Sequence, residues 1–212
     1  MKTFVFSTLL FCLLGAQTVS AGYIYQIDDG SPENDLGVSG GGSMAWGNQY
    51  NAVSGAEWVT QLHIYFSASS FIGSAVTASI YADPDQNAHP SDAIPLANAL
   101  GVANEGWTIF AFESPVYVGP AGTSFFAVAS TVHSNGQHPA AFDQSSDALR
   151  SWASLSADFA EAGNISLDYG YAGNFMIRAG SGEATGGEIP EPGTAALLAG
   201  ALLVLGALAR RR

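Results

Sequence analysis

The sequence predicts an all-β domain, a sandwich or a barrel, with an apolar segment at each end of the chain. Glycine, serine, alanine, aromatic and β-branched residues dominate between these segments, and charged helix-forming residues are scarce. Short stretches in which apolar and polar residues alternate are separated by Gly, Pro, Asn and Asp, the usual residues of turns. Stretches of this length and spacing are typical of antiparallel sheets and not of βαβ units.

Several stretches have the alternation expected of strands: residues 23–27, 46–53, 57–67, 76–82, 97–102, 107–112, 124–132 and 174–179. In the clearest, 57–67, Trp58 lies on the same predicted face as the apolar residues 62, 64 and 66. Gly47 marks a candidate bulge. Residues 146–159 have no clear period and are predicted as loop with some strand. The predicted core residues are Leu62, Ile64, Phe66, Val76, Ile80, Ile109, Val128 and Ile177.

Residues 1–21 have the three parts of a secretory signal peptide. Lys2 supplies a positive charge, an apolar run too short for a comfortable membrane span follows, and Val19 and Ala21 are small residues at the −3 and −1 positions of a cleavage site. The mature chain is therefore predicted to begin at Gly22. The one cysteine, Cys12, lies inside the signal, so we expect a mature chain without disulfides, cysteine nucleophile or thiolate metal site.

The chain is acidic, with 18 Asp and Glu residues, 6 Lys and Arg residues and a net charge of −12. Most of the basic residues lie at the termini, which leaves Arg150 and Arg178 between residues 22 and 189. Such a surface repels nucleic acid and anionic lipid, so we expect no nucleic-acid partner. It keeps an exported domain soluble and can attract divalent cations or basic partners.

The segment 188–212 contains three features in order. A Pro-Glu-Pro tripeptide at 190–192 is extended, because proline fixes its own φ and disfavours the helical region for the residue before it. Residues 193–209 are uncharged and would form a transmembrane helix about 25 Å long, just short of a typical hydrocarbon core. Three arginines at 210–212 are expected on the cytoplasmic side. Hydropathy alone does not distinguish a single-pass anchor from a processing signal.

The order of these features resembles the PEP-CTERM sorting signal of Gram-negative bacteria, and the resemblance covers residues 189–212. It implies that a membrane enzyme, exosortase, cuts near the motif. It also implies an inner-membrane precursor with its C-terminus in the cytoplasm, and a mature form at the cell surface or outside, in a setting of exopolysaccharide and biofilm. The sorting motif is Pro190, Glu191 and Pro192, and the cytoplasmic anchor is Arg210, Arg211 and Arg212.

A second resemblance concerns the predicted domain at 22–179, which precedes a flexible linker at 180–187. Several short stretches resemble a domain often found upstream of this sorting signal, which implies a jelly-roll-like β-sandwich and carries over no catalytic residue. These stretches include Asp28-Asp29-Gly30-Ser31, Ala45-Trp46-Gly47-Asn48, Tyr81-Ala82-Asp83-Pro84-Asp85, His138-Pro139-Ala140-Ala141-Phe142-Asp143-Gln144 and Asn174-Phe175-Met176-Ile177-Arg178-Ala179.

The strongest ligand-like stretch begins at Asp83. Together with Asp85 and Asn87 it places oxygen side chains at alternate positions, as in the first half of an EF-hand loop. An EF-hand would continue with glycine and glutamate where this chain has Ala88 and Ile94, so the loop is not an EF-hand. We expect either a Ca²⁺ site with these three residues as ligands or an ordinary wide turn. No other cofactor is expected.

A match to a catalytic motif occurs at residues 37–41, where Ser39 occupies the serine position of G-x-S-x-G. A nucleophile elbow needs a strand before that serine and a helix after it, whereas the flanking sequence here predicts a Gly-rich loop. The histidines lack metal-ligand spacing and are expected on the surface or in loops, although two of them could approach Asp143. They are His63, His89, His133 and His138. No catalytic residue is therefore predicted.

These features together predict an exported, non-catalytic β-sandwich sorted to the cell surface or the extracellular matrix. One alternative is a carbohydrate-binding module, with or without Ca²⁺, in which Tyr65 and Tyr81 face outward to stack on sugar rings. A second alternative is a secreted hydrolase, which rests on Ser39 and scattered His and Asp residues. Most of the other large aromatics are expected in the core, among them Trp46, Trp58, Trp107 and Trp152.

Overall fold

The computed structural model describes residues 22–182, and this part of the chain is almost entirely β-structure. The predicted signal peptide, the rest of the linker and the sorting segment lie outside the described residues. Two short 3-10 helices, Pro90–Asp92 and Phe159–Glu161, are the helical elements of the described range. Neither these nor any other helix within residues 22–182 is long and apolar enough to cross a membrane.

The described range contains thirteen strands, and every strand pair is antiparallel. In chain order they are β1 (Ile24–Tyr25), β2 (Asn34–Leu36), β3 (Gly41–Asn51), β4 (Trp58–Phe66), β5 (Ala75–Ala82), β6 (Ile94–Val102), β7 (Gly106–Tyr117), β8 (Ser124–Ser134), β9 (Ala140–Asp143), β10 (Ser151–Ser154), β11 (Gly163–Asn164), β12 (Asn174–Phe175) and β13 (Ile177–Ser181). The prediction of an all-β domain is confirmed.

The strands form three sheets around a shared apolar core. A six-stranded sheet has the order β11-β10-β3-β8-β5-β6, a four-stranded sheet the order β1-β13-β4-β7, and a small sheet the order β12-β9-β2. Consecutive long strands from β3 to β5 and from β6 to β8 alternate between the two larger sheets. Side chains from both sheets therefore meet in one core, as in an all-β sandwich.

The central pair β3–β8 is in register along its whole length, from Gly41 opposite Ser134 to Asn51 opposite Ser124. The predicted bulge at Gly47 is therefore wrong. Glycine is needed there for a different reason, because a Cβ at this position would lie 2.5 Å from the carbonyl oxygen of Ala127. The absence of a side chain lets the two backbones approach.

Most of the predicted core residues are buried, and one is not. Ile109 is 55% exposed, because β7 turns Thr108, Phe110 and Phe112 inward and the alternation puts Ile109 on the outer face. The prediction for Ile109 is therefore wrong. The buried ones are Leu62, Ile64, Phe66, Val76, Ile80, Val128 and Ile177.

The inward prediction for Trp58 is also wrong, since this indole is 55% exposed. Consecutive residues at the end of β13 pair with Gln61 and Val59, so Thr60 is an extra residue in β4. A bulge of one residue reverses the alternation of inward and outward side chains. Val59 therefore faces the core, and its neighbour faces solvent.

The ambiguous stretch 146–159 contains one strand, β10, and then crosses the outer face of the six-stranded sheet. Phe159 is fully buried there against Phe126 of β8, with 5.5 Å between the ring centroids. Val128 and Trp152 belong to the same second cluster and not to the main core. Strand β8 therefore buries side chains on both of its faces, which explains its long apolar run.

A buried amide joins the three sheets. Asn48 of β3 is fully buried, and its Nδ2 donates to the carbonyl oxygens of Phe175 (2.7 Å) and Ile177 (3.0 Å). Its Oδ1 accepts from the Ser151 hydroxyl at 2.8 Å. The Tyr50 hydroxyl also donates to the Ile177 carbonyl, and burial raises the pKa of Tyr50 above its ordinary value of 10. The six-stranded sheet is thus hydrogen-bonded to β12 of the small sheet and to β13 of the four-stranded sheet.

Replacing Asn48 with alanine should destabilise the domain strongly. Asn48→Ala leaves a buried carbonyl and the Ser151 hydroxyl without their partner, and each such group costs about 1–3 kcal/mol. We expect a loss of roughly 3 kcal/mol in the free energy of unfolding, measured by urea denaturation of the full chain. The matched control is Asn98→Ala, an exposed strand position, which should change the free energy by less than about 0.5 kcal/mol. Equal effects of the two substitutions would contradict this role for Asn48.

Candidate functional site

Three carboxylates meet in the connection between β5 and β6. Asp83 follows directly on β5, Asp85 lies in the turn, and the 3-10 helix Pro90–Asp92 brings Asp92 back beside them. One carboxylate oxygen from each residue lies within 4.8 Å of the others. Two of the three predicted ligands, Asp83 and Asp85, are therefore brought together, and Asp92, which follows the predicted stretch in the sequence, joins them.

Hydrogen bonds within this loop reach only some of the oxygen atoms of the three carboxylates. Oδ2 of Asp83 accepts from the Ala88 amide at 2.8 Å, and Oδ2 of Asp92 accepts from the Asp85 amide at 3.1 Å. The remaining oxygens, Oδ1 of Asp83 and Oδ1 of Asp92, are buried and have no hydrogen-bond partner among the described residues. Asp83 is 1% exposed, so its Oδ1 is shielded from bulk solvent and receives no hydrogen bond from it.

Asn87, the third predicted ligand, lies beside the cluster and shapes the loop. Its Nδ2 donates to Asp85 at 2.7 Å, and its Oδ1 accepts from the His89 amide at 2.6 Å. Gln86 reaches away from the cluster and accepts from the Ser124 amide at 2.6 Å, which ties the loop to the start of β8. The loop is thus held by hydrogen bonds within itself and by the hydrogen bond to the start of β8.

A second acidic cluster contains Asp29, Glu33 and Asp143. Here the carboxylates accept hydrogen bonds from protein groups, for example Oδ2 of Asp143 from the Asp29 amide at 2.9 Å and Oδ1 of Asp143 from the Ser145 amide at 2.7 Å. The pKa of Asp29 is lowered, first by the hydrogen bond from the Ser31 amide and then by the Ser145 hydroxyl. This cluster is a network of capped loops, and its charges are already compensated.

The outer face of the four-stranded sheet carries two aromatic pairs. Trp58 and Tyr117 are about half exposed, and their ring centroids are 5.0 Å apart. Tyr65 packs edge-on against Trp107 at 5.3 Å, and the guanidinium of Arg178 lies 4.2 Å from the centroid of that indole. The outward prediction for Tyr65 places it in this row. The exposed Trp58–Tyr117 pair was missed because the bulge in β4 reversed the expected alternation.

Tyr81 lies on the other sheet and contributes to a different surface. Its ring packs against Phe159 with 5.5 Å between centroids, so the segment that follows β10 partly covers it.

An open pocket of about 410 Å³ adjoins Trp58 and is lined also by Tyr23, Ser54 and Gly55. Trp58 is 55% exposed and therefore joins the Tyr117 ring and this pocket in one accessible surface.

Ser39 does not have the setting of a nucleophile elbow. It is exposed in the turn between β2 and β3, the element that follows it is a strand, and its hydroxyl makes no hydrogen bond to a histidine among the described residues. Nearby His133 is buried and accepts from the Val38 amide at 3.1 Å, so the expectation of a surface position is wrong for this histidine. His138 is exposed, and within residues 22–182 the hydrogen-bond partners of the Asp143 carboxylate are Asp29, Ser145 and Ser146 and not a histidine.

The open pockets of the described domain are poor in catalytic groups. One pocket, of about 560 Å³, lies between the edge strands β6 and β7 and has Glu113 as its one carboxylate. A pocket of about 420 Å³ beside Trp152 contains Arg150 and no acidic residue or histidine. Neither of these pockets, nor the one beside Trp58, is lined by two carboxylates or by a serine with a histidine.

No protein-family model matches the chain, and no curated protein is significantly similar to it. Two solved structures resemble the domain. The clostridial cysteine protease Cwp84 after propeptide cleavage is 12% identical, with a TM-score of 0.53 over 76% of this chain and 40% of that one. The cysteine protease and lectin-like domains of Cwp84, a surface layer associated protein of Clostridium difficile, are 14% identical, with a TM-score of 0.49 over 77% and 36%. The chain thus spans less than half of these proteins, and the first likeness concerns the fold alone.

His63 should make stability depend on pH near neutrality. It lies on β4 between Arg178 and Ile109, and its ring contacts Gln61 at 2.9 Å. Its pKa is lowered from 6.5, first because burial disfavours the imidazolium and then because Arg178 is near. Below pH 6.5 the unfolded chain binds a proton at His63 that the folded chain does not bind. The contribution of His63 to the free energy of unfolding is therefore present at pH 7.5 and is lost on acidification.

We expect His63→Gln to reduce the drop in free energy of unfolding between pH 7.5 and pH 5.5, measured by urea denaturation. His138→Gln, at an exposed position, is the matched control and should leave the drop unchanged. The Asp29 carboxyl titrates below its ordinary 3.8 and does not contribute in this window. Identical pH profiles for wild type and His63→Gln would contradict the assignment.

Proposed function

We propose that this chain is an exported, non-catalytic β-sandwich of jelly-roll-like topology, delivered to the cell surface or extracellular matrix by a PEP-CTERM signal that exosortase reads. The observation that supports this proposal is the position of the domain ends. The Ser181 amide donates to the Tyr23 carbonyl at 2.8 Å, and the Tyr23 amide donates to the Ser181 hydroxyl at 3.2 Å. Both ends of the domain therefore lie side by side, immediately inside the two segments that the proposal removes.

Processing at both ends is compatible with this arrangement. Strand β13 lies between β1 and β4 and continues through Ser181, two residues past the predicted domain boundary at 179. The hydrogen bonds described between β1 and β13 join residues that lie between positions 22 and 182. Cleavage before Gly22 and beyond the linker therefore breaks none of them, and the mature product keeps its sheet.

The chemistry of the domain supports a non-catalytic role. Residues 22–182 contain no cysteine, so the cysteine protease activity named for the structural neighbour has no nucleophile here. The pockets described above lack paired carboxylates and a serine–histidine contact. A binding or matrix role requires neither.

Intact mass of the exported protein tests the sorting proposal. In a cell with the matching exosortase, the wild-type product should begin near Gly22 and lose residues 193–212. Replacing Pro190, Glu191 and Pro192 with alanines should leave the span inserted and uncut. Replacing Arg210, Arg211 and Arg212 with serines should weaken retention and orientation, because the arginines hold the C-terminus inside.

The matched control replaces Thr185, Gly186 and Gly187 with alanines, three neighbouring residues outside the motif. That variant should be processed like the wild type. If the wild type, the motif variant and an exosortase deletion all retain residues 193–212, the tail is only an anchor and the sorting proposal fails.

A second candidate function, carbohydrate binding, is favoured by the exposed Trp58–Tyr117 pair. The two rings lie on an open sheet face with their planes tilted by 44° to each other, and they present apolar surface to the CH groups of a sugar ring. Hydroxyl groups of Tyr23 and Ser54 lie in the adjoining pocket, where they can hydrogen-bond to the hydroxyls of the same ligand. Arg178 caps the neighbouring Trp107 and leaves Trp58 as the accessible indole.

A glycan array followed by titration tests this second function. For any saccharide that binds, Trp58→Ala should weaken the affinity about tenfold, the effect of losing about 1.4 kcal/mol of aromatic contact. Leu100→Ala is the control, since Leu100 is 81% exposed on the other large sheet. Loss of affinity in the Leu100→Ala variant, or none in Trp58→Ala, would exclude the aromatic pair as the binding surface.

A further inference from the structure

We propose that Asp83, Asp85 and Asp92 bind a Ca²⁺ ion in the loop between β5 and β6. This inference is independent of how the chain is delivered. It rests on two separate observations: an oxygen from each carboxylate lies within 4.8 Å of the others, and the buried Oδ1 atoms of Asp83 and Asp92 have no hydrogen-bond partner among the described residues. A buried carboxylate oxygen without a partner is strongly unfavourable unless a cation compensates it.

No basic side chain compensates these charges. The ion pair found within residues 22–182 joins Arg178 to Asp28, and no arginine of that range forms an ion pair with Asp83, Asp85 or Asp92. His89 is close in sequence, but its Nδ1 accepts from the Ser91 amide. Three carboxylates at this separation repel one another, and a divalent cation between them converts that repulsion into attraction.

Local hydrogen bonds hold the carboxylates of Asp83 and Asp92 in fixed positions in the loop. The backbone has positive φ at Gln86 (59°) and Ala88 (62°), a conformation that non-glycine residues rarely adopt. The Ala88 amide holds Oδ2 of Asp83, which leaves Oδ1 for a ligand. In the same way the Asp85 amide holds Oδ2 of Asp92. Each anchored carboxylate thus has one oxygen engaged and one oxygen available.

The donor set favours Ca²⁺ over other metals. All three ligands are carboxylates, the hard oxygen donors that Ca²⁺ and Mg²⁺ bind, whereas Zn²⁺ favours histidine and cysteine ligands, which the cluster lacks. Mg²⁺ demands near-ideal octahedral geometry and retains several waters, while Ca²⁺ accepts irregular loop ligands and completes its shell with water or carbonyl oxygens. For extracellular modules of this kind Kd is about 10⁻⁴ to 10⁻³ M.

The role of such an ion is to stabilise the folded loop. It joins the end of β5 to the 3-10 helix before β6, and Gln86 passes the restraint on to the Ser124 amide at the start of β8. Asn87 donates to Asp85 and accepts from the His89 amide, so the proposal gives it the role of holding Asp85 in place.

Melting of the full chain, purified in detergent, tests the site. If Kd is about 10⁻⁴ M, 5 mM Ca²⁺ lowers the unfolding equilibrium constant about fifty-fold relative to EGTA. For a domain of this size that corresponds to a rise in Tm of roughly 5–9 °C. Titration calorimetry with CaCl₂ should show binding with one site. Asp92→Asn and Asp85→Asn should each weaken the affinity roughly tenfold or more, because each removes one of three ligand charges.

Glu33→Gln is the matched control, because it removes one charge from the second acidic cluster, whose oxygens are already hydrogen-bonded. Its Ca²⁺ response should equal that of the wild type. Asp85→Asn, at an exposed position, and Asp92→Asn, at a half-buried one, are used together with Asp83→Asn because the last alters a fully buried group. The absence of both a Tm shift and a calorimetric signal at millimolar Ca²⁺ would overturn the proposal. An equal response to Mg²⁺, or a response lost in Glu33→Gln, would overturn the assignment of the metal or of its ligands.

Discussion

The buried amide of Asn48 fixes how the sheets sit relative to one another. Apolar side chains fill the core but tolerate sliding of one sheet over another, whereas hydrogen bonds are directional. Asn48 donates to carbonyls of two other sheets and accepts from Ser151, so all its hydrogen-bonding groups are used in one arrangement. A shift of any sheet would leave a polar group unpaired in the interior, which is why a fully satisfied network selects a single packing.

The sequence predicted the long strands because their alternation reflects one buried face and one exposed face. The prediction failed where the alternation of residues does not match the buried and exposed faces of the strand. The extra residue Thr60 reverses the face of Trp58, and Ile109 lies outward because its neighbours Thr108 and Phe110 occupy the inward positions of β7. The short strands β2, β9 and β12 have too few residues to show a period, and their pairing depends on contacts distant in the chain.

The candidate sites show the same limit. Asp83 and Asp85 were visible because they lie two residues apart in a turn, but Asp92 reaches them only through the 3-10 helix that follows. The Trp58–Tyr117 pair joins residues of two strands across a bulge, and no local pattern marks it. The signal for Asn48 is an amide side chain inside a predicted strand. When such a residue is buried it needs a hydrogen-bond partner that the sequence cannot name.

The position of β13 also determines how the domain responds to force. It is flanked by β1 on one side and β4 on the other, and its last residue leads directly into the C-terminal part of the chain. A pull applied from that end is therefore shared between two hydrogen-bonded ladders and is passed to the six-stranded sheet through the Ile177 carbonyl. Extraction of β13 by such a pull would have to break its ladders with both β1 and β4, whereas an edge strand is held by one ladder.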